Sequence, residues 1–99
     1  MNRELHTARP ATEELVAAVG WYEDRRAGLG AEFYDAVVRT MNRIAETPEA
    51  GTPFRDLQAR RMLVAGFPYQ VVYRIDSDEI RVIAFARLKR RPGFWRHRR

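Results

Sequence analysis

Residues 69–87 read YQVVYRIDSDEIRVIAFAR, and their period decides the fold. Tyr69, Val71, Tyr73 and Ile75 alternate with Gln70, Val72 and Arg74, the two-residue period of a strand. Asp76, Ser77 and Asp78 then supply turn chemistry, because short polar side chains bond the nearby backbone. Ile80, Val82, Ala84 and Ala86 alternate in turn with Arg81, Ile83, Phe85 and Arg87. Val72, Ile83 and Phe85 place apolar groups on the second face as well. Apolar residues on both faces predict central strands that are largely covered.

Upstream, Arg60 to Ala65 reads as a further strand, and Gly66 and Pro68 mark a turn around Phe67. Residues 47–58, with Pro48, Gly51 and Pro53, read as a loop. Before it the period is helical. Leu15, Val19 and Tyr22, with Ala18 beside them, mark one helical face. Pro10 suits a first helical position, where its missing N–H is no loss. Glu13 and Glu14 are expected in the first turn, facing the positive end of the helix dipole. Gly28 and Gly30 bracket Leu29 and break the pattern. Phe33, Val37, Met41 and Ile44, joined by Tyr34, Val38 and Ala45, form the stripe of a second helix that stops before Pro48. Asn2 to Ala8, carrying Leu5, is expected to form a short strand at a sheet edge. The order is an edge strand, a helical hairpin, an antiparallel meander and a basic tail, which makes an α+β fold of two layers.

The chain has 99 residues, which bounds it to a single domain over residues 1–99, the last part (87–99) being the tail. With 45% hydrophobic and 31% charged residues it has globular composition. It has no cysteine, so disulfides and thiolate metal sites are excluded. No apolar run approaches the roughly 20 residues that cross a bilayer, and the first ten residues lack a signal-peptide core. The expected setting is the cytoplasm, with no membrane contact.

Charge is unevenly spread. Residues 80–99 carry 8 basic and no acidic side chains, whereas residues 1–79 carry 10 basic and 13 acidic ones. Such a cluster attracts polyanions or an anionic protein surface. Lys89 is the only lysine, so nearly all of this charge is arginine. Arg60 and Arg61 open one strand. The even spacing of Arg81 and Arg87 puts both on one face of another. Arg90 and Arg91 follow, with Phe94 and Trp95 close behind. Basic residues interleaved with aromatics suit a phosphate backbone with stacking. They equally suit an acidic partner protein, or a tail pinned by Trp95 beneath the sheet. Trp21 and Tyr22 are expected to pack in the helical layer.

Enzyme chemistry finds little support. His6 and His97 share no metal-ligand spacing, and no metal or other cofactor is expected. Ser77, the only serine, sits in a turn, which argues against a serine triad. The Gly28–Gly30 pair lacks the rest of a phosphate loop. Glu23-Asp24 and the acidic residues 76–79 read as helix-surface and turn positions.

Six short segments together resemble the RelE/ParE superfamily of toxins from type II toxin–antitoxin pairs. They are Trp21-Tyr22-Glu23; Gly28-Leu29-Gly30 with Phe33; Ile44-Ala45-Glu46-Thr47-Pro48; Arg60-Arg61; Phe67-Pro68-Tyr69 with Val72-Tyr73-Arg74; and Arg90-Arg91-Pro92-Gly93-Phe94-Trp95. The resemblance implies a helical hairpin on a small antiparallel sheet of about four strands. It implies a poison that binds DNA gyrase, in the ParE-like branch, or one that cuts mRNA on the ribosome without a metal, in the RelE-like branch. A non-toxic binding module is the third possibility. For a nuclease, Arg61 and Arg87 occupy the comparable sheet positions. No tyrosine follows Tyr73, however, and many relatives carry histidine where this chain has Arg87. Arginine stays protonated and cannot take the 2′-hydroxyl proton. Both departures favour the ParE-like branch.

The resemblance also implies a target-binding surface of Arg60, Arg61, Arg81, Arg87, Arg90, Arg91 and Trp95. It implies an acidic antitoxin lying across Leu15, Val19, Tyr34 and Val38, in a hetero-oligomer with the toxin.

Overall fold

The computed structural model describes residues 4–55 and 57–98. It places in order β1 (Glu4–Thr7), α1 (Arg9–Arg25), α2 (Leu29–Glu46), a 3-10 turn (Pro48–Ala50), β2 (Thr52–Phe54), β3 (Ala59–Leu63), β4 (Tyr69–Ile75) and β5 (Glu79–Arg87). Asn2 and Arg3 of the expected first strand, and Arg99 of the tail, lie outside the described residues. The strands form one sheet in the order β1-β5-β4-β3-β2. β1 runs parallel to β5 at the edge, and the other neighbours are antiparallel. The α+β architecture of two helices on a sheet therefore stands, with two corrections. The sheet has five strands rather than four, and it is mixed rather than purely antiparallel. The extra strand is β2, hidden in sequence because it is three residues long and contains Pro53.

Pro10 sits in the opening turn of α1, as expected. The helix begins at Arg9, so Glu13 and Glu14 fall beyond its first turn. Their expected dipole role is corrected, and Glu14 has a different task described below. Gly28 ends the helical break at φ 89°, a left-handed conformation that favours glycine. A Cβ on Gly30 would stand 2.7 Å from the Val19 carbonyl oxygen, so the two helices approach through glycine. Glu23, read from sequence as a surface acid, caps α2 from α1. Its carboxylate accepts the N–H groups of Gly28 and Gly30, each at 3.0 Å. These bonds, Gly28 first, hold its carboxyl below the usual range.

The hairpin buries Ala11, Ala18 and Tyr22 of α1 and Phe33, Ala36, Val37 and Ile44 of α2 against one sheet face. Tyr22, Phe33, Phe67 and Tyr69 form an aromatic cluster with ring centroids 4.8 to 6.0 Å apart. Edge-on and tilted pairs of this kind add to simple burial.

The β4–β5 pairing contains a bulge. Val72 pairs with Ala84 and Tyr73 with Val82, leaving Ile83 as an extra residue. Beyond it the strand's parity is reversed. Phe85, expected on the outer face, packs in the helical core, while Ile83 and Ala84 both face outward. The outer face is roofed by the tail. Trp95 is 1% exposed against Ala59, Val72, Ile83 and Ala84, with the Phe54 ring 5.0 Å away. Its expected place on a target-binding surface is corrected by this burial.

The loop after α2 is tied to the sheet. The Tyr73 hydroxyl donates to the Pro48 carbonyl at 2.6 Å. Arg60 donates to the carbonyls of Glu49 and Gly51, at 3.0 and 2.8 Å.

Trp95→Ala is expected to destabilise the fold by about 3–5 kcal/mol, the usual cost of emptying a large buried site, measured by urea unfolding. Glu23 gives a pH signature. Its depressed carboxyl contributes stability above the usual 4.5 that is lost as pH falls through the lower folded value. The stability gap between wild type and Glu23→Gln should therefore narrow with acidification, as read from melting temperatures across the acid range.

Candidate functional site

Two concave regions flank α1. The first is an apolar groove of about 320 Å³ along the open edge of the fold. Leu5 of β1, Leu15 of α1, and Tyr34, Val38 and Met41 of α2 line it. Tyr34 and Val38 are 48% and 36% exposed, high values for an aromatic and a branched apolar side chain. Three of the four residues expected to hold a partner, Leu15, Tyr34 and Val38, thus meet in one groove. Val19 does not line it and packs against the core instead.

The second region is a cleft of about 470 Å³ between α1 and the end of β5. Its floor is apolar, with Ala17, Ala18, Phe85 and Ala86. Its rim is cationic, with Arg87, Lys89 and Arg90. Trp21 stands at the lip, 39% exposed, rather than wholly inside the helical layer. The Arg25 and Arg87 guanidinium carbons lie 3.4 and 4.6 Å from the centre of its ring. Contacts this short favour a cation at an aromatic face. Nearby, burial pushes the Tyr22 phenol up; Tyr69 adds to the rise and Arg87 opposes it.

Glu14 closes one side of the cleft. It accepts the Phe85 N–H at 3.1 Å and an Arg98 N–H at 2.8 Å, and Arg90 lies 3.9 Å from its other oxygen. Arg98 also donates to the Ile83 carbonyl at 3.1 Å. One carboxylate thereby ties α1, β5 and the tail together.

The other predicted residues are dispersed. Arg60 is occupied by the loop carbonyls already described. Arg61 is exposed on the outer face, 3.3 Å from Gln70 Oε1, with its guanidinium carbon 5.7 Å from the centre of the Phe54 ring. Arg81 pairs across the sheet with Arg74 and bonds Glu79 at 3.3 Å. Arg91 is exposed in the tail. The expected shared face of Arg81 and Arg87 is corrected, because the bulge at Ile83 lies between them. Arg87 pairs with Tyr69 on the helical side, whereas Arg81 shares the outer side with Arg74.

For the same reason Arg61 and Arg87 stand on opposite faces and cannot clamp one phosphate. The contacts of Arg61 are Gln70 and Phe54, and that of Arg87 is Trp21. None of these takes a proton at neutral pH. Burial pushes the Tyr73 phenol up, and its hydroxyl is already bonded. Among the described residues, no three histidine or carboxylate side chains gather as a metal site needs. No described helix is long and apolar enough to cross a membrane.

Sequence reasoning missed Trp21, Arg25 and Lys89 as parts of a site. A signal was present. Glu14, Ala17, Ala18, Trp21 and Arg25 recur at helical spacing and define a second face of α1 beside its core stripe.

The family model described as "ParE toxin of type II toxin-antitoxin system, parDE" matches residues 5–92. Among solved structures, one described as the chromosomal ParDE TA system from P. aeruginosa shares the fold. It has a TM-score of 0.76 at 19% identity, over 86% of this chain and 95% of that chain. No curated protein matches the sequence.

Proposed function

The chain belongs to the ParE toxin family of type II toxin–antitoxin systems, and on that premise we propose that it arrests growth by binding DNA gyrase. The observation that carries the choice of target is the separation of Arg61 and Arg87 on opposite sheet faces. Cleavage of RNA needs a converging phosphate clamp and a proton acceptor. Stalling an enzyme by binding needs neither. The protein acts in this reading as a ligand in the cytoplasm, with no cofactor.

A cognate antitoxin neutralises it. The groove of Leu5, Leu15, Tyr34, Val38 and Met41 suits the apolar face of a partner helix. An acidic stretch in the same partner matches the basic tail and speeds association. The product is a hetero-oligomer of toxin and antitoxin.

With purified gyrase, relaxed plasmid and ATP, excess protein is expected to suppress supercoiling. Unimpaired supercoiling, with translated messages cut after induction, overturns the reading in favour of ribosome-dependent cleavage. Val38→Asp is expected to leave toxicity intact while weakening the antitoxin by on the order of 100-fold. A carboxylate buried without a partner costs about 3 kcal/mol. Titration of the two proteins by calorimetry reads this directly.

A further inference from the structure

We infer that the cleft between α1 and the end of β5 is the seat of the target, and that it takes an acidic, extended polypeptide segment of the topoisomerase. This rests on the gyrase reading above and assigns the place and chemistry of the contact. Arg87, Lys89 and Arg90 line the rim, so the cleft presents three cations over an apolar floor. Two guanidiniums are already positioned. Arg25 and Arg87 lie 3.4 and 4.6 Å from the centre of the Trp21 ring, so little side-chain freedom remains to be lost on binding. An extended segment advances about 3.3 Å per residue. Two carboxylates a few residues apart therefore reach neighbouring cations, and an apolar side chain between them meets Ala18 and Phe85.

The occupant is polypeptide rather than nucleic acid for two reasons. Trp21 is the aromatic at the lip, and its ring already holds the Arg25 and Arg87 guanidiniums, with which a stacking base would have to compete. Glu14, on the cleft wall, repels a continuous phosphate backbone but tolerates a segment with separated charges.

The target is favoured over the antitoxin by the contrast between the two regions. The groove and the cleft share no lining residue. Apolar surfaces suit long-lived complexes, as a neutralised toxin requires. Charged rims set encounter rate and selectivity, as a search for a target requires.

The test measures binding of the full-length protein to the purified A and B subunits of gyrase and to its antitoxin, at about 50 mM and about 300 mM salt. Arg87→Glu and Lys89→Glu are each expected to weaken gyrase binding at least about tenfold at low salt and to flatten its salt dependence. Trp21→Leu, which keeps the charge, is expected to weaken it about threefold or more by releasing the two arginines. Antitoxin affinity should fall by no more than about threefold in the two charge variants, through slower association with the basic tail, and stay within about twofold in Trp21→Leu. Lys89 is exposed at the rim, so its variant reads the site without disturbing the core. The inference is overturned if wild type binds gyrase and both charge variants bind it equally well. It is also overturned if antitoxin affinity falls instead, or if a short DNA duplex displaces gyrase from the cleft. Failure of wild type to bind either subunit overturns the gyrase reading itself, and is distinguished by affecting every variant alike.

Discussion

Strand β5 is buried on both faces, and a single extra residue, Ile83, decides what each face receives. Before the bulge, Ile80 and Val82 feed the helical core. After it, Phe85 and Arg87 take over that side, while Ile83 and Ala84 turn together towards Trp95. Without the extra residue, Phe85 would leave the core and Arg87 would turn outward, away from Trp21. A one-residue slip in a two-faced strand exchanges every side chain beyond it. The helical core, the outer packing and the composition of the cleft therefore depend on one irregularity.

The second constraint is the end of β1. It stops pairing at Val82, which leaves the next part of β5 with backbone groups to satisfy. An unmet buried N–H costs about 1–3 kcal/mol. Glu14 meets the Phe85 N–H, and Arg98 meets the Ile83 carbonyl while pairing with Glu14. Arg74 holds the tail from the sheet side by donating to the Arg98 carbonyl at 2.6 Å. The tail that roofs the outer face is thus anchored by the same carboxylate that lines the cleft.

These constraints give α1 two concave flanks. One side, through Leu15, borders an apolar groove. The other, through Glu14, Ala18 and Trp21, borders a cationic cleft. In a chain of 99 residues the apolar groove and the cationic cleft share no lining residue, although both are built from one helix and its neighbours. Arginine suits the second surface, since it stays charged and stacks on an aromatic ring.

Much of the fold was legible in the sequence. The period of residues 69–87, the glycines at 28 and 30, and the stripe from Phe33 to Ile44 determine a helical hairpin over an antiparallel meander. Apolar residues on both faces of the strands determine that both faces are covered. The six short segments and the excess arginine point to the toxin family and to the part of the chain that carries its positive charge. The groove was largely legible too, because Leu15 falls in the stripe of α1, and Tyr34 and Val38 recur at helical spacing on α2. Only tertiary structure decided the rest. β2 forms because Thr52–Phe54 finds β3 beside it, although three residues with a proline have little propensity of their own. The bulge at Ile83 leaves no mark in an alternating pattern, so it reversed the faces assigned to Phe85 and Arg87. Trp95 is an anchor rather than a surface aromatic because an uncovered apolar face lies within its reach. Trp21 became part of a site because Arg25 from its own helix and Arg87 from a distant strand meet its ring. Local sequence determines period and propensity, whereas register, edge and burial depend on residues far apart in the chain.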